Sequence, residues 1–240
     1  MTDRHEGLIG HCRAAAVVAV LLAAPVLGGC TRSSDGTPVA AGAATGTADA
    51  GQPGGPAGSA SQHPDFGVLP TTGNAPAPTG AVTCGPEQRP TIGLVAKVGD
   101  PAAPVLTVAV PDGWSMQGGS GDVGARLAGP DGMSATVRIV ATTLDPQQAF
   151  TEYAAALTRD SAVSSLSVLP AQLCDYSGQK LLGTVSDNPA ESTEFVDRVV
   201  HVWTGSGDYL VSVHAEAPAG APGFDSAATQ VTDDFEVKMP

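Results

Sequence analysis

The composition of the chain changes sharply near residue 80, and this change limits where a folded core can form. Residues 31–80 consist mainly of Gly, Ala, Pro, Ser and Thr, with one small apolar cluster at residues 65–69. Such a stretch buries too little apolar surface to offset the entropy lost on ordering, so we expect it to be disordered. The part of the chain that can fold is expected from Cys84 to Pro240, which is long enough for one domain.

The amino-terminal segment has the pattern of a bacterial lipoprotein signal. Arg4 and Arg13 precede or border an uncharged run at residues 14–27. This run is too short for a permanent membrane-spanning helix but suits the apolar part of a secretory signal. It ends in a Leu-Gly-Gly-Cys sequence at Cys30, which resembles a lipobox. The resemblance implies cleavage before Cys30 and diacylation of its sulfur with fatty acids such as palmitate.

We therefore expect a signal peptide at residues 1–29, a lipidated disordered tether at 30–83 and a head domain at 84–240. The lipid would hold the protein on the cell membrane, facing the periplasm or the cell exterior. The head has 8 Lys and Arg residues against 19 Asp and Glu residues, a net charge of about −11. This charge disfavours nucleic acid and anionic lipid surfaces as partners.

Two cysteines remain in the head, Cys84 and Cys174. In an oxidising compartment an even pair predicts a disulfide, which would fasten the start of the domain to its middle. The alternative is a zinc ligand or a catalytic thiol. Neither cysteine has a second Cys or a His at the close spacing that metal sites use.

Hydrophobic periodicity and turn signals predict an α+β head with a mostly antiparallel sheet flanked by two main helices. Asp145 and Pro146 have the pattern of an N-cap and a first helical residue, and they begin a helix predicted at 146–160. A second helix is predicted at about 225–234. Strands are predicted at 91–98, 105–110, 125–128, 134–144, 179–186, 195–203 and 209–215, with a turn leading into a strand at 164–176.

The order of these elements carries a family resemblance. A strand runs into a Val-Pro-Asp-Gly-Trp sequence at Trp114, and a Pro-started helix, a meander and a terminal helix ending in Asp-Asp-Phe at Phe235 follow. This head resembles the PsbP-like fold, and with the lipobox it resembles the LpqN/LpqT group of actinobacterial lipoproteins. The resemblance implies an envelope protein that works by protein contact in envelope assembly, and it offers no catalytic residues to carry over.

Two histidines form the one constellation that suggests weak metal binding or acid–base chemistry. If Thr204 pairs with Tyr209, His201 and His214 share a sheet face, and Glu216 lies on the same face. The alternative is that both histidines pack beneath or beside a helix. Two imidazoles are too few for a zinc site, so we predict neither a metal nor another cofactor.

The remaining candidates are tryptophans and carboxylates. Trp114 and Trp203 are expected near one rim of the sheet, where a Trp is often a binding hot spot, although each could instead plug an end of the core. Asp187, Glu191 and Asp197 belong to an acidic stretch that we expect to be solvated.

These patterns predict a membrane-anchored adaptor for proteins of cell-envelope biogenesis and not an enzyme. The alternative is a carrier of a lipid or small molecule held between the sheet and the helices. An enzyme is the third possibility. The nearest serine-nucleophile pattern lies at residues 118–122, where the fifth residue is Asp and not the required Gly.

Overall fold

Two antiparallel sheets form the frame of the domain in the computed structural model, which describes residues 66–70, 77–188 and 191–240. The predicted signal peptide, Cys30 and most of the predicted tether lie outside the described residues. No helix in the described ranges is long and apolar enough to cross a membrane.

The larger sheet has seven strands and the smaller sheet has four. The strands of the larger sheet are β4 (Ser115–Gly118), β5 (Val123–Ala128), β6 (Ser134–Thr142), β7 (Val163–Pro170), β8 (Ser177–Asn188), β9 (Glu191–Trp203) and β10 (Asp208–Pro218), in the spatial order β4-β5-β6-β10-β9-β8-β7. The strands of the smaller sheet are β1 (Val82–Cys84), β2 (Gly93–Ala96), β3 (Val105–Ala109) and β11 (Glu236–Lys238), in the order β1-β11-β3-β2. The predicted α+β class is confirmed, with two sheets where the sequence predicted one.

Within the described ranges, two α-helices complete the domain, α1 (Pro146–Thr158) and α2 (Phe224–Thr232). Helix α1 begins as predicted, because the Asp145 side chain accepts a 2.9 Å hydrogen bond from the Gln148 backbone N–H and Pro146 occupies the first turn. The left-handed Gly223, with φ of 82°, precedes α2. Both predicted helices are therefore present, each within two residues of its predicted ends.

The two faces of the larger sheet have different coverings. The inner face packs against the smaller sheet and α2, and residues such as Val137, Val211 and Val213 are fully buried there with Leu106 of β3. The outer face receives α1, which contacts β7, β8 and β9. Side chains alternate between the faces along each strand, so every second residue of β9 and β10 belongs to the outer face.

The hairpin between β9 and β10 fixes which residues meet on that outer face. The backbone N–H of Thr204 donates a 3.0 Å hydrogen bond to the carbonyl of Gly207, and Trp203 pairs with Asp208. The expected pairing of Thr204 with Tyr209 is therefore wrong by two residues. Because a slip of two keeps every side chain on its face, His201 and His214 still share a face, as predicted.

A disulfide joins Cys84 to Cys174, as predicted, with 5.9 Å between the two Cα atoms. It ties β1 of the smaller sheet to the turn that precedes β8. The Thr83 hydroxyl and the Tyr176 hydroxyl lie 2.6 Å apart beside it and add a hydrogen bond between the same two segments. The smaller sheet is thereby fastened to the larger one at its first strand.

Residues 66–70 also lie against the domain, and we call them the strap. The backbone N–H of Gly178 donates to the carbonyl of Gly67 over 2.8 Å, and the Gln179 amide donates to the carbonyl of Phe66 over 2.7 Å. The prediction of a free tether up to residue 83 is thus wrong for the strap. It is wrong for residues 81–83 as well, since they approach or belong to β1.

Candidate functional site

Helix α1 covers only part of the outer face of the larger sheet. It contacts β7, β8 and β9, and it reaches β10 through the Tyr153 hydroxyl at Ser212 and through the apolar cluster that includes Leu210. On the rest of that face, over β4, β5, β6 and the end of β10 at Glu216, no described α-helix makes comparable contacts. The exposed or half-exposed side chains there are mainly polar, and they include Gln117, Arg126, Thr136, Arg138, Ser134 and Glu216. We call this region the open half.

The open half contains a concavity of about 350 Å³. Hydroxyl, amide, guanidinium and carboxylate groups line it together with backbone. Its lining residues are Ser115, Gln117, Arg126, Leu127, Ala128, Ser134, Ala135, Thr136 and Glu216. Such a lining suits a polar ligand or a polar protein surface better than an acyl chain.

A chain of hydrogen bonds runs from beneath α1 to the edge of this concavity. The Tyr153 hydroxyl of α1 donates to the Asp197 carboxylate. The Nδ1 atom of His214 lies 2.9 and 3.1 Å from the two oxygens of Asp197, and its Nε2 atom lies 3.3 Å from Oε2 of Glu216. The Ser134 hydroxyl donates to the other Glu216 oxygen over 3.2 Å. We call these five residues the polar chain.

The register of the strands builds the polar chain. Asp197 of β9 pairs directly with His214 of β10, and Glu216 is two residues further along the same face. On the other side of β10, Glu216 pairs with Ser134 of β6. Directly opposite residues in an antiparallel pair have Cβ atoms about 5 Å apart, close enough for these side chains to bond.

Burial decides the electrostatics of the polar chain. The Asp197 side chain is 0 % exposed, whereas His214 is 25 % and Glu216 is 47 % exposed. Burial alone would lower the pKa of His214, but hydrogen bonds and charge from Asp197 and Glu216 outweigh it and raise that pKa to about 10. His214 is therefore a cation at neutral pH, and its buried counterion is Asp197.

The interactions within the polar chain also shift the pKa values of Glu216 and Tyr153. The hydrogen bond from His214 lowers the pKa of Glu216, which keeps that carboxylate ionised at the edge of the concavity. Burial, reinforced by the Asp197 charge, raises the pKa of Tyr153 well above 10, so its hydroxyl stays protonated and donates. Glu216 is thus a fixed anion on a rigid support.

Arg126 and Arg138 lie on the open half without a counterion. Within the described ranges, neither guanidinium makes an ion pair or a hydrogen bond. Arg126 pairs across the sheet with Thr136, which pairs with His214. A patch with three cations and one exposed carboxylate therefore lies on a domain whose net charge is strongly negative.

The two histidines do not form a joint metal site. His201 pairs with Leu210, four residues from His214 along β10, and each strand residue rises about 3.3 Å. The His201 Nε2 atom lies 3.0 Å from the Leu144 carbonyl, and its Nδ1 atom lies 4.0 Å from Asp208. Among the residues that the structure describes, no group of three or more His, Cys, Asp or Glu side chains is placed to hold a metal ion.

The tryptophans are separated, contrary to the prediction of one rim. Trp114 is only 8 % exposed, belongs to the main core and has its indole against Gly129. Trp114 comes directly before β4, whose first residue is aligned across the sheet with Ser134 at the start of β6. Trp203 is aligned across the sheet with Thr142, at the other end of β6. Trp114 therefore fits the alternative of a core plug, and Trp203 is half-buried on the outer face.

Sequence reasoning missed Asp197 and the polar role of Tyr153. Asp197 was expected to be solvated, but it is fully buried under α1. One signal was available, since a carboxylate within the largely apolar run at 195–203 requires a partner on the same face. Tyr153 falls within the helix predicted at 146–160, and no sequence signal singled out its hydroxyl.

Comparisons with known proteins add a likeness among solved structures. No protein-family model and no curated protein matches the sequence. Among solved structures, the chain is similar to LpqN of Mycobacterium tuberculosis, described as involved in cell envelope biogenesis. The superposition has a TM-score of 0.48 and 17 % sequence identity, and it covers 61 % of this chain and 91 % of LpqN. A likeness at this distance concerns the backbone and does not assign a family or a function.

Proposed function

We propose that this protein is a membrane-anchored envelope lipoprotein whose domain binds a partner protein through the open half of the larger sheet. The lipobox-like sequence at Cys30 supports the anchor and its location. The long Gly/Ala/Pro-rich segment that follows would confine the domain near the membrane and raise its local concentration around membrane proteins.

The proposal rests on one observation, an uncovered patch of polar and charged side chains in which hydrogen bonds hold the carboxylate in place. Arg126 and Arg138 have no intramolecular counterion in the described residues, and Glu216 is held in place by the polar chain. Fixed charges on rigid strands give orientation and specificity to a protein interface, and their long-range field speeds association. A partner that presents carboxylates to Arg126 and a donor to Glu216 fits this patch.

Binding fits the polar chain better than catalysis. Both ring nitrogens of His214 are engaged by carboxylates, and no Ser, Thr or Cys side chain bonds to that imidazole in the described residues. The carrier alternative is not favoured, because Phe150, Leu181 and Val199 fill the space between α1 and the sheet.

Site-specific photo-crosslinking in cells tests the proposal. A benzophenone side chain at Gln117, in the concavity, should capture a defined membrane or envelope protein, and one at the exposed Val95 of the smaller sheet should not. Arg126→Glu should reduce capture at least tenfold, whereas the same reversal at exposed Arg89 should leave it unchanged. Equal capture from both positions, or capture of lipid alone, would contradict an adaptor surface here.

A further inference from the structure

The strap lies on the outer face, beside α1 and away from the open half, and we call the surface that it covers the groove. It runs along the start of β8, where β7 has ended: Pro170, the last residue of β7, pairs with Gln179. Beyond that point the strap supplies the carbonyl of Gly67 to the backbone N–H of Gly178, at 2.8 Å. The strap thus lies beside the first residues of β8, at the edge that β7 no longer covers.

Two buried polar side chains form hydrogen bonds with the backbone of the strap. Ser177 is 6 % and Gln179 is 8 % exposed. The Gln179 amide donates to the Phe66 carbonyl over 2.7 Å, and the Ser177 hydroxyl accepts from the Leu69 N–H over 2.9 Å. Contacts of this kind depend on the backbone of the bound segment and not on the identity of its side chains, as main-chain hydrogen bonds do in other modes of peptide recognition.

Two positions of the strap, Gly67 and Val68, limit which residues a bound segment can have there. Gly67 has φ of +80°, and a Cβ atom there would lie 1.8 Å from the Gly178 carbonyl oxygen, so only glycine fits. The next residue, Val68, packs against the apolar cluster beneath α1 that contains Phe150 and Leu181. The groove therefore selects a segment in which a left-handed glycine precedes an aliphatic residue.

We propose that this groove is a peptide-binding site, that the strap is its resident occupant, and that a partner protein with a Gly-aliphatic segment can replace it. The strap is the one apolar cluster in a stretch whose composition otherwise predicts disorder. An intramolecular ligand on a short connection competes at an effective concentration of about millimolar, so it weakens binding of the partner segment without abolishing it.

A labelled peptide with the sequence of residues 63–71 tests the site by fluorescence anisotropy on the full chain. Gly67→Ala in the protein expels the strap and should increase the affinity for this peptide at least tenfold over the unmodified chain. A peptide that carries Ala in place of its glycine should bind the opened chain at least tenfold more weakly. Ser177→Ala and Gln179→Ala in the opened chain should also weaken binding.

The unfolding temperature of each variant serves as the control for folding. If Gly67→Ala does not fold, Val68→Asp expels the strap through its apolar contact without a backbone clash and replaces it in the same assay. Absence of binding to the opened, folded chain would overturn the proposal, and so would equal affinity for the opened and unmodified chains. Exchange of straps between two copies without peptide binding would also overturn it. Crosslinking at Gln117 is unaffected by these outcomes, so the two proposals fail separately.

Discussion

Replacing His214 with Gln tests the charge that we assign to the polar chain. On folding, Asp197 and Glu216 raise the pKa of His214 from 6.5 to about 10. A group whose pKa rises on folding stabilises the protein fully below its unfolded pKa, and this contribution is lost as the pH approaches the folded pKa. The free energy of unfolding should therefore decrease between about pH 6.5 and about pH 10.

The size of this decrease follows from the pKa and from exposure. A rise from 6.5 to about 10 corresponds to about 5 kcal/mol at about 1.4 kcal/mol for each pKa unit. Solvent screens the part that comes from Glu216, which is 47 % exposed, whereas Asp197 is 0 % exposed. We therefore expect a loss of about 2 kcal/mol between pH 6 and pH 9.

Urea unfolding at these two pH values measures the loss, with the fluorescence of the two tryptophans, Trp114 and Trp203, as the probe. In His214→Gln the difference between pH 6 and pH 9 should shrink to about 0.5 kcal/mol or less. His201→Gln is the matched control, because it removes an imidazole from the same face outside the polar chain. Equal stability of the unmodified protein at both pH values would refute the reasoning, as would a loss of pH dependence in His201→Gln.

Two further predictions concern the frame of the domain. The Cys84–Cys174 disulfide has a sequence separation of 90, so replacing both cysteines with Ala should cost about 4 kcal/mol and lower the unfolding temperature by about 10 °C; a change below about 3 °C in calorimetry would contradict this. A Cβ atom at Gly129 would lie 2.4 Å from the Trp114 ring, so Gly129→Ala should cost about 1–3 kcal/mol by urea unfolding. Gly118→Ala, which meets nothing within 4 Å, should cost much less.

The helices and long strands were predictable because local signals and burial agree there. Asp145 and Pro146 begin α1 as the sequence indicates, and β9 and β10 are largely apolar over the predicted ranges 195–203 and 209–215. The strand Ser115–Gly118 was missed, since all four of its residues are exposed and no periodicity marks it. The strand Val82–Cys84 has three residues and pairs with the last strand of the domain, a contact that no local pattern encodes.

The polar chain was only half predictable for a related reason. Parity along β10 places His214 and Glu216 on one face. A register that is wrong by an even number of residues still adds His201 to that face, and this part was predicted. The bonded neighbours depend on the register, which the closure of the turn at Thr204 fixes. In the predicted register, which is wrong by two residues, Asp197 does not lie opposite His214. Nothing in that register indicates that the Asp197 carboxylate is buried.

The strap shows where composition misleads. Averaged over residues 31–80, apolar content is too low for folding, and that argument holds for an isolated segment. The strap does not need its own core, because the domain supplies the apolar cluster for Val68 and the hydrogen-bond partners for its backbone. A few residues with the right glycine can therefore dock within a stretch that composition predicts to be disordered.

Helix α1 separates the two proposed sites and contributes to both. The ring of Tyr153 belongs to the apolar cluster that also receives Val68 of the strap, and its hydroxyl donates to Asp197 at the base of the polar chain. Loss of the packing of α1 would thus disturb the groove and uncover a buried charge together. A change confined to Arg126 or to Gly67 acts on one site, because neither residue lies in the cluster beneath α1. The division of the outer face into a polar half and an apolar half therefore follows from where this one helix packs.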